Sequence, residues 1–186
     1  MRRLVKVNGL RKSKNLAILQ PCNLAKGKYL KEMKVMKEMK EMNLSEHFTL
    51  AELTKTKSGI KNVPNEAQVK NLKRLCGWLE MLRDEWNRRY GEGDDPIVIN
   101  SGFRSAEVNR AVGGSPASNH LKGCAADIRV AGIEQLLRYA VILLDISDES
   151  KEDFDELLLE QKVGVMWLHF AVRPDGNRRR TKLLYP

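Results

Sequence analysis

The sequence of 186 residues contains few cysteines and no long apolar run. Its three cysteines include no CxxC pair, which excludes a disulfide scaffold and a zinc knuckle built from cysteine. No segment approaches the roughly 20 consecutive apolar residues of a membrane-spanning helix, so an integral membrane protein is excluded. The remaining composition, 42% hydrophobic and 31% charged, is typical of a globular protein with one core domain.

Acidic residues are scarce at the beginning of the chain. Residues 1–40 contain 12 of the 33 lysines and arginines but only Glu32 and Glu38 among the 24 acidic residues. The rest of the chain is almost neutral, so the formal net charge of +9 belongs to this segment. We interpret residues 1–44 as a basic, flexible or helical extension and residues 45–186 as the folded domain. A nucleic-acid-associated protein that acts through the basic segment is an alternative.

The apolar spacing in the folded domain predicts an α+β fold. Apolar residues three and four positions apart indicate helices, and short apolar or alternating runs between them indicate strands. Because helices precede and separate a few short strands, we expect a small antiparallel sheet with flanking helices. Helices are predicted after Thr49, over 65–90, over 105–112 and over 133–144, and strands over 97–99, 125–130, 154–159 and 165–172.

Histidine is scarce as well, with three in the chain, and two of them lie in patterns that suggest a metal site. Strand alternation places His169 on the face opposite the apolar residues of its strand. Asp127 lies on the corresponding face of the strand over 125–130, and His120 directly precedes that strand. If the two strands are adjacent, the three side chains meet. Two imidazoles and one carboxylate with an open fourth position are typical of catalytic zinc.

The spacing of these residues also allows a purely structural interpretation. In that alternative His120 caps a loop, His169 is a half-buried residue of the sheet, and Asp127 pairs with an arginine.

The string SGFRS, followed after 12 residues by SNHLKGCAAD and some forty residues later by WLHF, resembles the zinc D-Ala-D-Ala carboxypeptidase family of peptidoglycan peptidases. The resemblance covers about residues 46–185, includes the phage endolysin-like branch, and implies the hedgehog/DD-peptidase fold. The family pattern S-x-H-x-x-G-x-A-x-D is matched at Ser118, His120, Gly123, Ala125 and Asp127.

Position by position, the resemblance implies that His120, Asp127 and His169 bind Zn²⁺ and that Arg104 and Ser118 bind the substrate peptide. A guanidinium suits this role because it holds a carboxylate through two hydrogen bonds at any working pH. The alternatives are a surface ion pair for Arg104 and a loop-capping role for Ser118.

The general acid/base is less directly indicated. Many relatives have a glutamate or aspartate three residues before the second zinc histidine, where this chain has Met166. If the last two predicted strands are neighbours, Glu160 lies at their shared end and is the expected catalytic residue. Glu156, on the same strand face, is the second choice, and the alternative is that both glutamates are exposed edge residues. Cys124 is interpreted as a packing residue.

The sequence therefore predicts a zinc-dependent peptidase of peptidoglycan peptide stems, either a D-Ala-D-Ala carboxypeptidase or a stem endopeptidase, that uses a metal-activated water. One alternative is a catalytically inactive, zinc-containing cell-wall-binding module of the same fold, which Met166 keeps open. A monomer without membrane insertion is expected, and nucleic acid is not the favoured partner.

The expected location follows from the first residues. MRRLVKV is basic, but the apolar run after it extends only from Leu16 to Leu19, too short for an export signal. We therefore expect a protein made in the cytoplasm that acts on the cell wall if it is released, as in a phage or prophage lysis setting.

Overall fold

The structure is a computed structural model that describes residues 42–184. Among residues 42–184, one 3-10 turn covers Asn119–Lys122 and ends shortly before the strand Ala125–Arg129. The helices in this range are α1 (Leu50–Leu53), α2 (Glu66–Arg89), α3 (Ala106–Ala111) and α4 (Ile133–Ser150). The strands in this range are β1 (Ile99–Ser101), β2 (Ala125–Arg129), β3 (Glu156–Lys162), β4 (Val165–Ala171) and β5 (Arg180–Leu184).

The strands form one sheet in the order β1-β2-β4-β3-β5. All neighbours are antiparallel except β3 and β5, which run in parallel. Helices α2 and α4 pack against each other and against the sheet, so they cover one of its faces. The predicted α+β class with a small sheet and flanking helices is thereby confirmed.

The apolar core lies between the sheet and the two long helices. Strand alternation directs Leu157, Leu168 and Phe170 toward the helices, where all three are fully buried. Trp78 of α2 meets Phe170 with ring centroids 5.5 Å apart. Because one face of β2, β3 and β4 is used in this way, the opposite face is free to carry polar side chains.

Most predicted elements occur, with shifted ends. The helix over 65–90, the strand over 125–130 and the strand over 165–172 are confirmed as α2, β2 and β4. The helix predicted over 133–144 is longer in the structure, where α4 continues to Ser150. The polar residues of its last turn are compatible with this, since Ser147 is buried and its hydroxyl donates to the Glu152 carbonyl.

Three strands differ from the strands that the apolar pattern predicted. β1 begins at Ile99 rather than at residue 97, and β3 covers Glu156–Lys162 rather than 154–159. β5 was not predicted, because its five residues RTKLL are mostly exposed and show no clear apolar alternation.

The basic extension predicted over residues 1–44 lies mostly outside the described residues and stays a prediction. At its boundary Leu44 is buried in the core, and Asn43 forms a bridge with Thr49. Among residues 42–184, no helix combines the length and apolar character needed to cross a membrane.

Candidate metal centre

His120 lies in the 3-10 turn before β2 and is only 2% exposed. Its Nδ1 is 2.6 Å from the carbonyl oxygen of Gly102. Because a carbonyl only accepts hydrogen bonds, Nδ1 carries a proton, and Nε2 is the ring nitrogen that faces the rest of the cluster. That Nε2 lies 3.2 Å from Oδ1 of Asp127, so the backbone of Gly102 fixes a ring orientation that suits metal binding.

Gly123 ends the 3-10 turn, and its lack of a side chain allows the turn to lie close to α2. Its φ is +70°, and a Cβ at this position would lie 2.6 Å from the carbonyl oxygen of Gln68. The side chain of Gln68 in turn donates to the Leu121 carbonyl at 2.9 Å. The glycine of the sequence motif therefore allows α2 to hold the turn that carries His120.

Asp127 and His169 are directly opposite each other in the antiparallel pair β2–β4. His169 Nδ1 lies 2.9 Å from Asp127 Oδ1, and the rings of His120 and His169 are 5.1 Å apart between centroids. The structure thus brings together the three residues that strand alternation had predicted to meet.

The three side chains form a donor set suited to a metal ion. One donor atom from each of His120, Asp127 and His169 lies within 4.8 Å of the others, the one such group of three or more found among residues 42–184. Two imidazole nitrogens and one carboxylate oxygen are ligands that zinc binds, and three protein ligands leave a position for a reacting molecule. The residues present therefore fit a catalytic zinc ion.

The charges at this site favour a bound cation. Burial alone would raise the pKa of Asp127, but the charges and hydrogen bonds of His120 and His169 outweigh it and hold that pKa well below its usual range. Burial would lower the pKa of His169, whereas hydrogen bonds to Asp127 and Glu156 raise it to about 9. Asp127 is therefore ionised, and a metal ion would take the place of the proton on His169.

Arg104 is the arginine of the SGFRS string, and it lies beside the cluster. Its Nε donates to Ser101 Oγ at 2.8 Å, and its Nη2 pairs with Oδ2 of Asp127. The side chain is 16% exposed, so this is not the surface ion pair of the alternative interpretation. In this structure Arg104 holds the outer oxygen of Asp127.

Ser118 and Cys124 flank the His120 turn. The hydroxyl of Ser118 accepts a hydrogen bond from the backbone of His120 at 3.3 Å, which is the capping role weighed as its alternative. The same hydroxyl can still donate to another group. Cys124 is fully buried, and burial raises the pKa of its thiol.

Glu156 and Glu160 both lie on the site face of β3, but their surroundings differ. Glu156 Oε2 is 3.6 Å from His169 Nε2 and accepts from Asn119 at 3.0 Å. Contacts with His169, Arg178 and Asn119 outweigh burial and lower the pKa of Glu156 to about 2. Glu160 is half-buried opposite Trp167, and burial raises its pKa.

Met166 lies on the other face of β4. It is opposite Gln161 in the β3–β4 pair and packs against the apolar core. Because side chains alternate along a strand, a carboxylate at position 166 would point toward the helices and away from His169. The missing carboxylate at this position therefore says nothing about whether the site is active.

Sequence reasoning missed a polar network behind the metal centre. Asp155 is fully buried and accepts hydrogen bonds from Asn119, Arg173 and Arg178. Asn119 is the residue before His120, so the network connects the His120 turn with the beginning of β3. Arg178 belongs to the run GNRRR, whose density of arginines could have suggested such a role, whereas Arg173 lies outside that run and had no such signal.

Comparison with known proteins agrees with these observations. The model of the family described as Peptidase M15 matches residues 46–143, just over half of the chain. A 40-residue segment is 50% identical to a zinc D-Ala-D-Ala carboxypeptidase from Streptomyces albus G, and this match covers 22% of the chain and 16% of that protein. The matched region of the family contains His120 and Asp127 but ends before β3 and β4. Because the family model matches just over half of the chain, the chain belongs to the peptidase M15 family.

Proposed function

We propose that this protein hydrolyses peptide stems of bacterial peptidoglycan, either by removing a terminal D-amino acid or by cutting within the stem. The family and the donor set support its proposed class, a zinc metallopeptidase. The observation that carries the proposal is the buried cluster of His120, Asp127 and His169 on the sheet face that α2 and α4 leave uncovered. Because the Streptomyces relative is a zinc D-Ala-D-Ala carboxypeptidase, a peptide that ends in D-Ala-D-Ala is the first substrate to test.

In this proposal His120, Asp127 and His169 would hold the zinc ion, each through one donor atom. Zinc, when bound, polarises a carbonyl group and lowers the pKa of a water molecule toward 7. The Gly102 carbonyl fixes the His120 ring, and Arg104 fixes the carboxylate of Asp127. These contacts hold the ligand atoms in place before the ion binds.

Glu160 is proposed as the general acid/base. Its carboxylate would accept a proton from the attacking water and then deliver it to the amine nitrogen as the C–N bond breaks. A pKa raised by burial suits the first step, because a carboxylate with a higher pKa accepts a proton from water more readily. Glu156 is less suitable, since Asn119, Arg178 and Arg180 already occupy its oxygens.

Arg104 and Ser118 are proposed to bind the substrate peptide. Arg104 uses Nε and Nη2 for Ser101 and Asp127, which leaves Nη1 for a carbonyl or carboxylate of the peptide. Ser118 keeps a free hydroxyl hydrogen next to the His120 turn.

Mass spectrometry of purified muropeptides tests the proposal and identifies the bond. Loss of one terminal alanine would establish a carboxypeptidase, and a defined cut within the stem would establish an endopeptidase. Either activity should disappear with a metal chelator and return with zinc. Unchanged muropeptides from zinc-loaded protein would contradict the proposal and favour a cell-wall-binding module without turnover. The nucleic-acid alternative involves residues 1–40 and stays a prediction.

A further inference from the structure

A polar groove of about 480 Å³ opens beside the metal centre. His169 and Ser118 line part of it, which places the groove next to the reacting position. The rest of its wall includes an unusual number of cations, which we call the basic groove residues. They are Lys122, Arg173, Arg178 and Arg180.

The protein itself neutralises only part of this charge. Asp155 accepts hydrogen bonds from Arg173 and Arg178, and Glu156 accepts them from Arg178 and Arg180. Two carboxylates thus face four cations. The groove therefore has an excess of positive charge on the same side of the sheet as the proposed zinc site.

Several donors in the groove remain without a partner among the described residues. Arg173 Nε is buried and donates to no acceptor within residues 42–184, an arrangement that costs free energy. Arg180 contacts Glu156 through Nη1 alone, although a guanidinium offers five N–H donors. Lys122 is exposed and forms no ion pair with the described part of the chain. These donors are arranged to receive an anion.

The order of the strands separates this groove from Arg104. Arg104 contacts Ser101 of β1 and Asp127 of β2, whereas Arg180 lies on β5 at the other edge of the sheet. His169 of β4 lies between them. With strands about 4.8 Å apart, β2 and β5 are separated by roughly 14 Å, the length of about four extended residues. A peptide lying across the strands would reach both arginines.

We propose that the basic groove is a second anion-binding subsite, and that it holds a non-terminal carboxylate of the substrate peptide. The inference rests on the proposed function and names the kind of stem that the site prefers. A stem whose carboxylate in this position is free is bound better than the same stem with a carboxamide there, because the amide carries no charge and offers one acceptor oxygen.

Pairs of stem peptides that differ only in one non-terminal carboxylate, free or amidated, test this subsite. Each such carboxylate is replaced in turn. For one of them, zinc-loaded wild-type protein should show a KM about tenfold lower for the free acid, the effect of one charge-assisted hydrogen bond. Lys122→Gln and Arg180→Gln should each reduce this preference by about threefold. Lys70→Gln, an exposed lysine on α2 outside the groove, is the matched control and should leave the preference unchanged.

Binding to the metal-free protein separates this inference from the proposed function. None of the basic groove residues is a proposed zinc ligand, so calorimetry on chelated protein should show the same preference for the free acid. Cleavage of both peptides with equal KM would overturn the subsite and leave the peptidase intact. If neither peptide is cleaved, the proposed function fails, and the binding preference alone decides the subsite. Equal affinities, or a preference that Lys122→Gln leaves unchanged, overturn it, and a preference that Lys122→Gln reduces supports it.

Discussion

At the scale of single residues, two positions carry most of the chemical argument. Glu160 differs from Glu156, the other glutamate on the site face of β3, in its surroundings and not in its residue type. It is half-buried and its pKa is raised, whereas Glu156 is held as an anion by cationic and amide groups. The same residue type on the same strand face is thus suited to proton transfer in one place and to orienting His169 in the other.

Glu160→Gln should lower kcat by about 10²–10⁴-fold, because the amide cannot accept a proton from water. The zinc content should not change, since Glu160 is outside the donor set. Steady-state hydrolysis and metal analysis of the same preparation measure both quantities. Glu107→Gln, an exposed glutamate on α3, is the control. Wild-type activity in Glu160→Gln would remove Glu160 from the mechanism.

Gly123→Ala should lower the free energy of unfolding by about 1–3 kcal/mol, because φ is +70° and the new Cβ would lie 2.6 Å from the Gln68 carbonyl oxygen. Gly77→Ala is a matched control within α2, where nothing lies within 4 Å of the new Cβ and helix propensity predicts a gain of about 0.5–1 kcal/mol. Urea unfolding of the two variants should give changes of opposite sign. An equal effect of both substitutions would contradict the proposed packing of the turn on α2.

At the scale of elements, the strands determine which side chains meet. Asp127 and His169 are 42 residues apart, yet the alternation of two short strands was enough to predict that they share a face. That prediction needed only the two strands to be neighbours. Met166 is a contrasting case. The family pattern suggested that position 166 belongs to the site, but strand alternation places it on the other face of β4.

Met166→Glu should not increase kcat, because position 166 faces the helices rather than His169. The new carboxylate would be partly buried without a partner, and should lower the free energy of unfolding by about 1–3 kcal/mol. Val165→Glu on the same strand is the control, since Val165 is 61% exposed and its replacement should have little effect. A rate increase in Met166→Glu would show that β4 has a different register.

The network around Asp155 connects the His120 turn, β3 and the segment after β4. Burial would raise the pKa of Asp155, but Arg178, Arg173 and Asn119 outweigh it and lower the pKa from 3.8 to about 2. A carboxyl group whose pKa is lower in the folded state stabilises the fold fully above the unfolded pKa, and this contribution is lost as pH falls through about 2.

Asp155→Asn should therefore reduce the free energy of unfolding by about 2 kcal/mol at neutral pH, and the difference from wild type should shrink between about pH 4 and pH 2. Urea unfolding across this range measures the effect. Asp175→Asn, at an exposed position of the following loop, should change stability little at any pH. A difference between Asp155→Asn and wild type that stays constant with pH would show that ionisation of Asp155 does not stabilise the fold.

At the scale of the whole molecule, the sequence was sufficient for the class of fold and for the donor set, and insufficient for the surroundings of the site. The long helices and the strands β2 and β4 have strong apolar patterns, so these elements could be predicted from the sequence. β5 has no such periodicity, because this edge strand is mostly exposed and pairs with β3 rather than with a neighbouring helix. The groove and the network behind His169 depend on that pairing.

The proposed activity requires that the fold assembles His120, Asp127 and His169 into the zinc site of an active peptidase. Titration of chelated protein with zinc, with stem-peptide hydrolysis as the readout, tests it most directly. We predict that activity rises in proportion to zinc and stops rising at one equivalent per chain, and that His169→Ala neither binds this equivalent nor gains activity. Hydrolysis that persists in chelated protein, or full activity in His169→Ala, would contradict the account.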